Sequence, residues 1–391
     1  MSPLTAPAWQ PRRSPQDAAR GLEKLVALSM AQGARLEGRV IALIPAHNEE
    51  ASIGETIRSL RQQTRPVDRI IVVCDNCTDG TADVAILCGA EAIATLGNTA
   101  KKAGALNQAL RWILPCLGSS DLVLVMYADS QLNGDWIRVA AAAMRDRASV
   151  GASCGAFLAE DGGGLVGQLQ RNEYVRYARS NRRRRQVPVL SGTGTLFRVT
   201  ALREVARERG QRLPGVYGDF YNSASITEDD EMTLALKTLG WRCECPPGCE
   251  TVTEVMPTWG DLFWQRIRWQ KGALGDLRAY GVSRVTMAYW LRQALIYLAF
   301  GASIACWAII ISSLAGHPAI NVPWTAGVLS VTLTERLWTV RRAGTRGLLL
   351  CALVIPEMGY DMFRFAYFAR ALADELLHRE RAWNHVVRAA A

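Results

Sequence analysis

Several things are missing from this chain, and each absence narrows its class. No apolar leader follows the N-terminus. The first twenty residues carry Arg12, Arg13 and Arg20 among Pro3, Pro7, Pro11 and Pro15, so a secretory signal is not expected. No disulfide framework is laid out either. Ten cysteines are scattered through 391 residues, a length that needs no covalent staples, as in a reducing, cytoplasm-facing environment. Cys243, Cys245 and Cys249 lack a fourth ligand at zinc spacing and read as part of a strand and turn. Cys74 and Cys77 form a C-x-x-C, but the residues around them carry a different pattern, so a redox role is set aside. There is no internal repeat, and Arg182–Arg185 is the only low-complexity patch, read as a solvated or headgroup-facing run. With 21% charged and 49% hydrophobic residues, the chain is not of the disordered class.

The most informative absence is charge. From Gln293 to Thr334 there is no Asp, Glu, Lys or Arg. Residues 291–314 are long enough to cross a hydrocarbon core of about 30 Å as one helix. Gly316, His317, Pro318 and Pro323 mark a turn, and a second span over 320–340 returns. Arg284 and Arg292 precede this hairpin, Arg336, Arg341, Arg342 and Arg346 follow it, and its loop has none, which places both ends in the cytoplasm. A third apolar helix is expected over about 347–369, re-entrant, interfacial or buried against the pair. The expected organisation is an extension over 1–38 with a short amphipathic helix near Leu22 and Leu25, a catalytic domain over 39–280, and a membrane region with a basic tail over 281–391. The net charge of +9 admits nucleic acid, an anionic membrane or a phosphorylated substrate as partner. No nucleic-acid module accompanies the basic residues, so nucleic acid drops out.

Residues 39–280 alternate strand-like and helix-like patterns. Residues 40–44, 69–74 and 122–127 read as buried strands; 52–62, 81–88 and 104–114 read as helices. This is an α/β class with a parallel sheet and helices on both sides. Ligands of such sheets bind outside the carboxyl ends of the strands. The polar residues gather there: Pro45-Ala46-His47-Asn48-Glu49-Glu50, then Asp75-Asn76-Cys77-Thr78-Asp79-Gly80, then Asp129. Lys102 to Asn107 opens a helix, and Thr227-Glu228-Asp229-Asp230 and Gln265-Arg266-Ile267-Arg268-Trp269 follow. Carboxylates at adjacent strand ends can accept from a base imide and ribose hydroxyls. A cation can hold a diphosphate, and a carboxylate can take a proton from an attacking hydroxyl.

In this order the segments resemble family-two glycosyltransferases, in the branch of the cellulose and hyaluronan synthases, over about residues 39–280. The resemblance implies an A-type nucleotide-diphospho-sugar transferase fold with a C-terminal transmembrane helical hairpin. It also implies inverting sugar transfer from a nucleotide-sugar, such as a UDP-sugar, with Mn²⁺ or Mg²⁺ as cofactor. Residue by residue it makes Asp229 the catalytic base. Pro45, Glu49, Asp75, Lys102, Asp129, Gln265 and Arg268 become donor contacts, with Arg268 on the leaving diphosphate. Trp269, Gly192, Gly194 and Glu228 become acceptor contacts, and Asp129 the metal ligand. Tyr127 stands where the family's D-x-D motif has its first Asp, which puts metal dependence in doubt. Asp79-Gly80 reads as turn and capping chemistry. The expected protein is a multi-pass enzyme of the cell membrane with its catalytic domain in the cytoplasm. It adds one or a few sugars to a lipid, glycan or protein acceptor, as a monomer or a homo-oligomer. A processive polysaccharide synthase is the alternative, and an inactive membrane scaffold the remaining one.

Overall fold

The computed structural model describes residues 38–182, 186–314 and 322–377. The N-terminal extension, Arg183–Arg185, the turn at His317 and the basic tail lie outside them.

The chain starts in the middle of a sheet. β1 (Val40–Ala46) pairs in parallel with β2 (Arg69–Cys74) on one side and β4 (Leu122–Val125) on the other, and β3 (Glu91–Ala94) extends the β2 edge. Period-two alternation explains why the strand is wholly apolar. Ile41 and Leu43 enter one core with the helix α3 (Lys101–Ile113), and Val40, Ala42 and Ile44 enter the other with α1 (Ile53–Arg61). Each fully buried Ile or Leu contributes about 1.5–3 kcal/mol.

Beyond β4 the sequence expectation of a purely parallel sheet fails. The sheet continues as β8 (Thr195–Arg198), antiparallel to both β4 and β6 (Val150–Cys154), and ends on β9 (Arg242–Glu244). A second sheet sets β10 (Glu250–Thr253) between β5 (Ser130–Leu132) and β7 (Ala156–Ala159). These strands have three to five residues, too few to carry a period, and their partners are distant in sequence. The remaining helices of the α/β body are α2 (Thr81–Leu87), α4 (Trp136–Arg145), α5 (Gly164–Arg182), α6 (Val199–Glu208), α7 (Glu228–Thr238) and α8 (Trp259–Tyr280).

Four helices follow: α9 (Met287–Leu314), α10 (Val322–Val340), α11 (Gly344–Leu353) and α12 (Ile355–Leu376). Among the described residues no helix is long and apolar enough to cross a membrane. The two helices expected as a pair have separate partners among the described residues. α9 meets α12 through Phe300 on Phe365, with ring centroids 4.7 Å apart, and through Tyr297 on Phe368. α10 packs against α11 and α5, where Arg179 Nη1 donates to the Trp338 carbonyl at 3.0 Å. The third apolar helix, expected whole over 347–369, is broken at Val354, whose φ of 61° is left-handed. Pro356 explains the break. It has no N–H to continue a helix and fits the first turn of α12. Glu357, the charge that seemed to interrupt a span, is instead buried between Arg176 and Arg336, with Asn172 Nδ2 donating to it at 2.8 Å.

α12 lies along α8. Asp276, on α8, accepts from Ser225 Oγ at 2.9 Å and Thr227 Oγ1 at 3.0 Å, just before α7. Burial, with Asp230 and Glu231 nearby, raises its pKa from the ordinary 3.8 to about 8. Its carboxyl thus stays protonated in the fold but ionises in the unfolded chain, so this group's stabilisation fades as pH climbs towards 8. Asp276→Asn keeps the acceptor and removes the titration. Its melting temperature should match wild type near pH 4 and exceed it by several degrees at pH 8, at roughly 2–4 °C per kcal/mol. Parallel curves for the two proteins would reject this account.

Candidate active site

A cleft of about 1250 Å³ opens at the carboxyl ends of β1, β2 and β4, between them and the N-terminal half of α8. Pro45, Glu49, Asp75, Lys102, Asp129, Glu228, Gln265, Arg268 and Trp269, spread over more than two hundred positions of sequence, all line it. Three of the four non-glycine residues with left-handed backbone among the described ones, Asn48, Asn76 and Lys101, line it too. Such conformations cost energy and persist where the surroundings impose them.

Asp75 is held firmly. Its Oδ1 accepts from Asn98 Nδ2 and Thr95 Oγ1, both at 2.8 Å, and from Asn76 Nδ2 at 3.1 Å. Glu49 Oε2 accepts from Ser52 Oγ at 2.7 Å, three residues on. Asp79 does the turn and capping work expected of it, accepting from Thr81 Oγ1 at 2.5 Å and from the Glu50 N–H at 3.1 Å. Asn107, quoted with Lys102 as one segment, is structural. Its side chain binds the backbone of Phe220 and Tyr221 and fixes the loop leading to α7.

Lys102 is less available than the sequence suggested. Its Nζ lies 2.5 Å from Glu228 Oε1 and 3.8 Å from the centre of the Tyr127 ring. The same pairing buries the Glu228 carboxylate on Lys102 at the wall of the cleft. Burial pushes the Glu228 pKa up, but Lys102 more than offsets this and holds it below the usual range. Lys101, unremarked in the sequence, is exposed at the cleft wall at the start of α3. Burial and then the Arg268 guanidinium lower its pKa, so two cations face one region.

Asp229 does not line the cleft. It lies beside Glu228 at the start of α7, with Oδ2 accepting from the Gly192 N–H at 3.1 Å. Burial and the Glu228 charge raise its pKa, which makes it a stronger base. Gly192 and Gly194 do not line the cleft either. A Cβ on Gly192 would sit 2.3 Å from the Tyr127 hydroxyl, so that glycine makes room for Tyr127 rather than for a ligand. Gly194 faces Leu132, Thr251 and Trp136 in the core.

On α8 the i, i+3, i+4 spacing puts Gln265, Arg268 and Trp269 on the cleft side. Gln265 Oε1 is buried with no hydrogen-bond partner among the described residues, a carbonyl that a ligand hydroxyl would satisfy. Arg266, given little weight in the sequence, is an anchor. It is buried, pairs with Glu173 Oε2 at 2.8 Å, and lies 4.3 Å from the centre of the Trp269 ring. Gly272 lets α8 approach α7, because a Cβ there would sit 2.2 Å from Thr227 Oγ1.

Among the described residues no three metal-ligating side chains converge. Two carboxylates do stand at neighbouring strand ends. The antiparallel register of β5 and β10 ends at Ser130 opposite Thr253, and the next residue on each strand, Asp129 and Glu254, lines the cleft. The sequence reading missed Glu254, whose only signal is an acid directly after a short strand.

Comparison with known proteins agrees with this geometry. The chain is 25% identical over 244 residues to poly-beta-1,6-N-acetyl-D-glucosamine synthase of Staphylococcus aureus strain COL, covering 61% of this chain and 55% of that protein. It is 23% identical over 237 residues to the enzyme of the same name from Staphylococcus epidermidis, covering 59% and 53%. The chain therefore spans about half the length of the curated relatives it matches. Among solved structures, a mannosyltransferase from Pyrobaculum calidifontis in complex with GDP-Man and Mn²⁺ superposes with a TM-score of 0.58 at 20% identity, covering 93% of this chain and 97% of that one, which shows a shared fold. Residues 38–272 match the model of the glycosyltransferase like family 2, and the chain belongs to that family.

Proposed function

We propose that this protein is a membrane-anchored inverting glycosyltransferase, moving a sugar from a nucleotide-sugar such as a UDP-sugar to an acceptor hydroxyl. The observation that carries this reading is the convergence of Asp75, Glu49, Arg268 and Gln265 on one cleft beside Asp229. The nucleoside sits at Asp75 and Glu49, and the leaving diphosphate at Arg268 and Lys101, where negative charge develops. The acceptor occupies the end formed by Met256, Pro257, Trp264 and Trp269, where aromatic faces suit a sugar ring. Asp229 takes the proton from the attacking hydroxyl.

Asp129 and Glu254 are hard oxygen donors that would hold a divalent cation here, and such a cation would neutralise charge on the diphosphate. The protein's own cations, Lys101 and Arg268, bear on the same group.

Membrane anchoring is supported by the apolar surface of the C-terminal helices. Leu291, Leu295, Leu298, Val331, Leu349 and Ile355 are each more than half exposed. A bilayer of the cell membrane would cover this surface, with the arginines flanking the charge-free run keeping the catalytic domain cytoplasmic. The acceptor then is a membrane lipid or a lipid-linked glycan, or else a protein, receiving one or a few sugars. Kinship with polymer synthases favours a second reading, in which the sugar chain grows processively.

Membranes carrying the protein, incubated with a panel of nucleotide sugars, should release nucleoside diphosphate and form a product one or a few sugars heavier. A ladder of many sugars would favour the processive reading. No release from any donor, with or without Mn²⁺, would overturn both. Calorimetry with Mn²⁺ and UDP should show binding in wild type and a marked loss in both Asp129→Asn and Glu254→Gln. An unchanged Glu254→Gln titration would remove Glu254 from the cation site.

A further inference from the structure

The C-x-x-C lies at the donor end of the cleft. Cys74 is the buried last residue of β2, and Cys77 is half-buried in the loop that follows. Between them stand Asp75 and Asn76, which both line the cleft. The two thiols are close enough in the fold for each to shift the other's pKa. Cys77 Sγ also lies 3.3 Å from the Ala46 carbonyl oxygen, which accepts the Asp75 N–H at 2.8 Å. Cys77 is thus tied to the backbone that aims Asp75, and Cys74 directly precedes Asp75 in the chain. The neighbouring Cys74 thiol lowers the Cys77 pKa, while Cys77 and burial raise the Cys74 pKa. Cys77 is therefore the thiol that reaches the thiolate form first, and it is the more exposed of the two.

A second thiol contact provides contrast. Cys154 and Cys245 also shift each other's titration, but both are buried in the core and neither lines the cleft. Mutual influence on titration is shared by the two pairs. Of these four only Cys77 has access from solvent, and only Cys74 and Cys77 stand beside a ligand-facing carboxylate.

We propose that Cys74 and Cys77 are a reversible dithiol–disulfide pair whose oxidation by glutathione disulfide re-sets the donor end of the cleft. The Cys77 thiolate attacks one sulfur of glutathione disulfide, forming a mixed disulfide and releasing one glutathione thiolate. Cys74 then loses its proton and attacks the Cys77 sulfur, releasing the second glutathione. The protein gives up two electrons and two protons, and glutathione disulfide becomes two glutathiones. The second step is intramolecular, so the burial of Cys74 does not prevent it. The product closes a ring through Asp75 and Asn76. It abolishes the Cys77 S–H donor to Ala46 and turns the Asp75 carboxylate away from the position fixed by Thr95 and Asn98. Catalytic and binding groups tolerate only about 0.5 Å of such displacement. The effect on nucleotide rests on the donor reading above.

The test uses the full chain in detergent, incubated with glutathione disulfide, acid-quenched, alkylated and digested. The peptide carrying Cys74 and Cys77 should escape alkylation at both and be lighter than its dithiol form by about 2 Da. Dithiothreitol should restore it, while the Cys154 and Cys245 peptides stay reduced. UDP affinity measured by calorimetry should fall roughly fivefold or more on oxidation and recover on reduction. Cys77→Ser should show neither change. Full alkylation of both cysteines after oxidant, a glutathione adduct that never resolves, or a disulfide that leaves UDP affinity unchanged would each overturn the proposal. If the reduced protein binds no UDP, the donor reading fails. If it binds UDP and forms no linkage, this proposal alone fails.

Discussion

Asp229→Asn should bind nucleotide as wild type does and lose transfer by about 10²–10⁴-fold, the contribution of a positioned proton acceptor. The substitution isolates chemistry from structure. The Gly192 N–H donates to Asp229 Oδ2 at 3.1 Å, and an Asn carbonyl accepts the same bond. What disappears is basicity. In wild type, burial and Glu228 raise the Asp229 pKa above the ordinary 3.8, so the Glu228–Asp229 pair should govern an acidic limb in the pH dependence of transfer. Activity falls as pH drops through that limb, because the base becomes protonated. Single-turnover assays against UDP titrations separate the two properties. Near-wild-type transfer by Asp229→Asn, or a UDP affinity lost along with activity, would remove Asp229 from the role of base.

The place of the cleft was legible in the sequence because several cues pointed to it. An apolar run ending in Pro45, another ending in Asp75 and a third before Asp129 put polar residues at parallel strand ends, where such sheets bind ligands. The boundaries followed the same logic. β2 occupies Arg69–Cys74 as read, and α1 is shorter than its reading by one residue at each end. What stayed hidden depended on partners far along the chain. β8 runs antiparallel to β4, and nothing in Thr195–Arg198 encodes direction. Gly192 and Gly194 looked alike in sequence, yet one makes room for Tyr127 and the other packs on Trp136. Arg266 and Arg268 are two residues apart, so the helix sends them to different sides, and spacing alone could not say that Arg266 would meet Glu173.

The sharpest difference between sequence and structure concerns Lys102, and it yields the second large expected effect. Its motif position suggests a donor ligand, whereas its contacts tie it to Glu228, next to the proposed base Asp229. The Lys102 and Glu228 side chains are only 15% and 6% exposed. Removing one partner of such a pair strands a buried charge, at a cost of about 3–5 kcal/mol. Lys102→Met should therefore lower the melting temperature by at least about 6 °C, at roughly 2–4 °C per kcal/mol. It should also raise the pKa of the Glu228–Asp229 pair, because Lys102 holds both carboxyls down. The acidic limb of the activity profile moves to higher pH as a result. Adding Glu228→Gln removes the stranded charge and should restore most of the lost stability, a coupling that a double-mutant cycle measures directly. Lys101→Met should do the opposite. It should leave melting almost unchanged, since Lys101 is exposed, and weaken UDP binding, since it faces the diphosphate region with Arg268. Were Lys102→Met to melt like wild type and lose only UDP affinity, the motif reading would prevail and Lys102, not Lys101, would hold the donor.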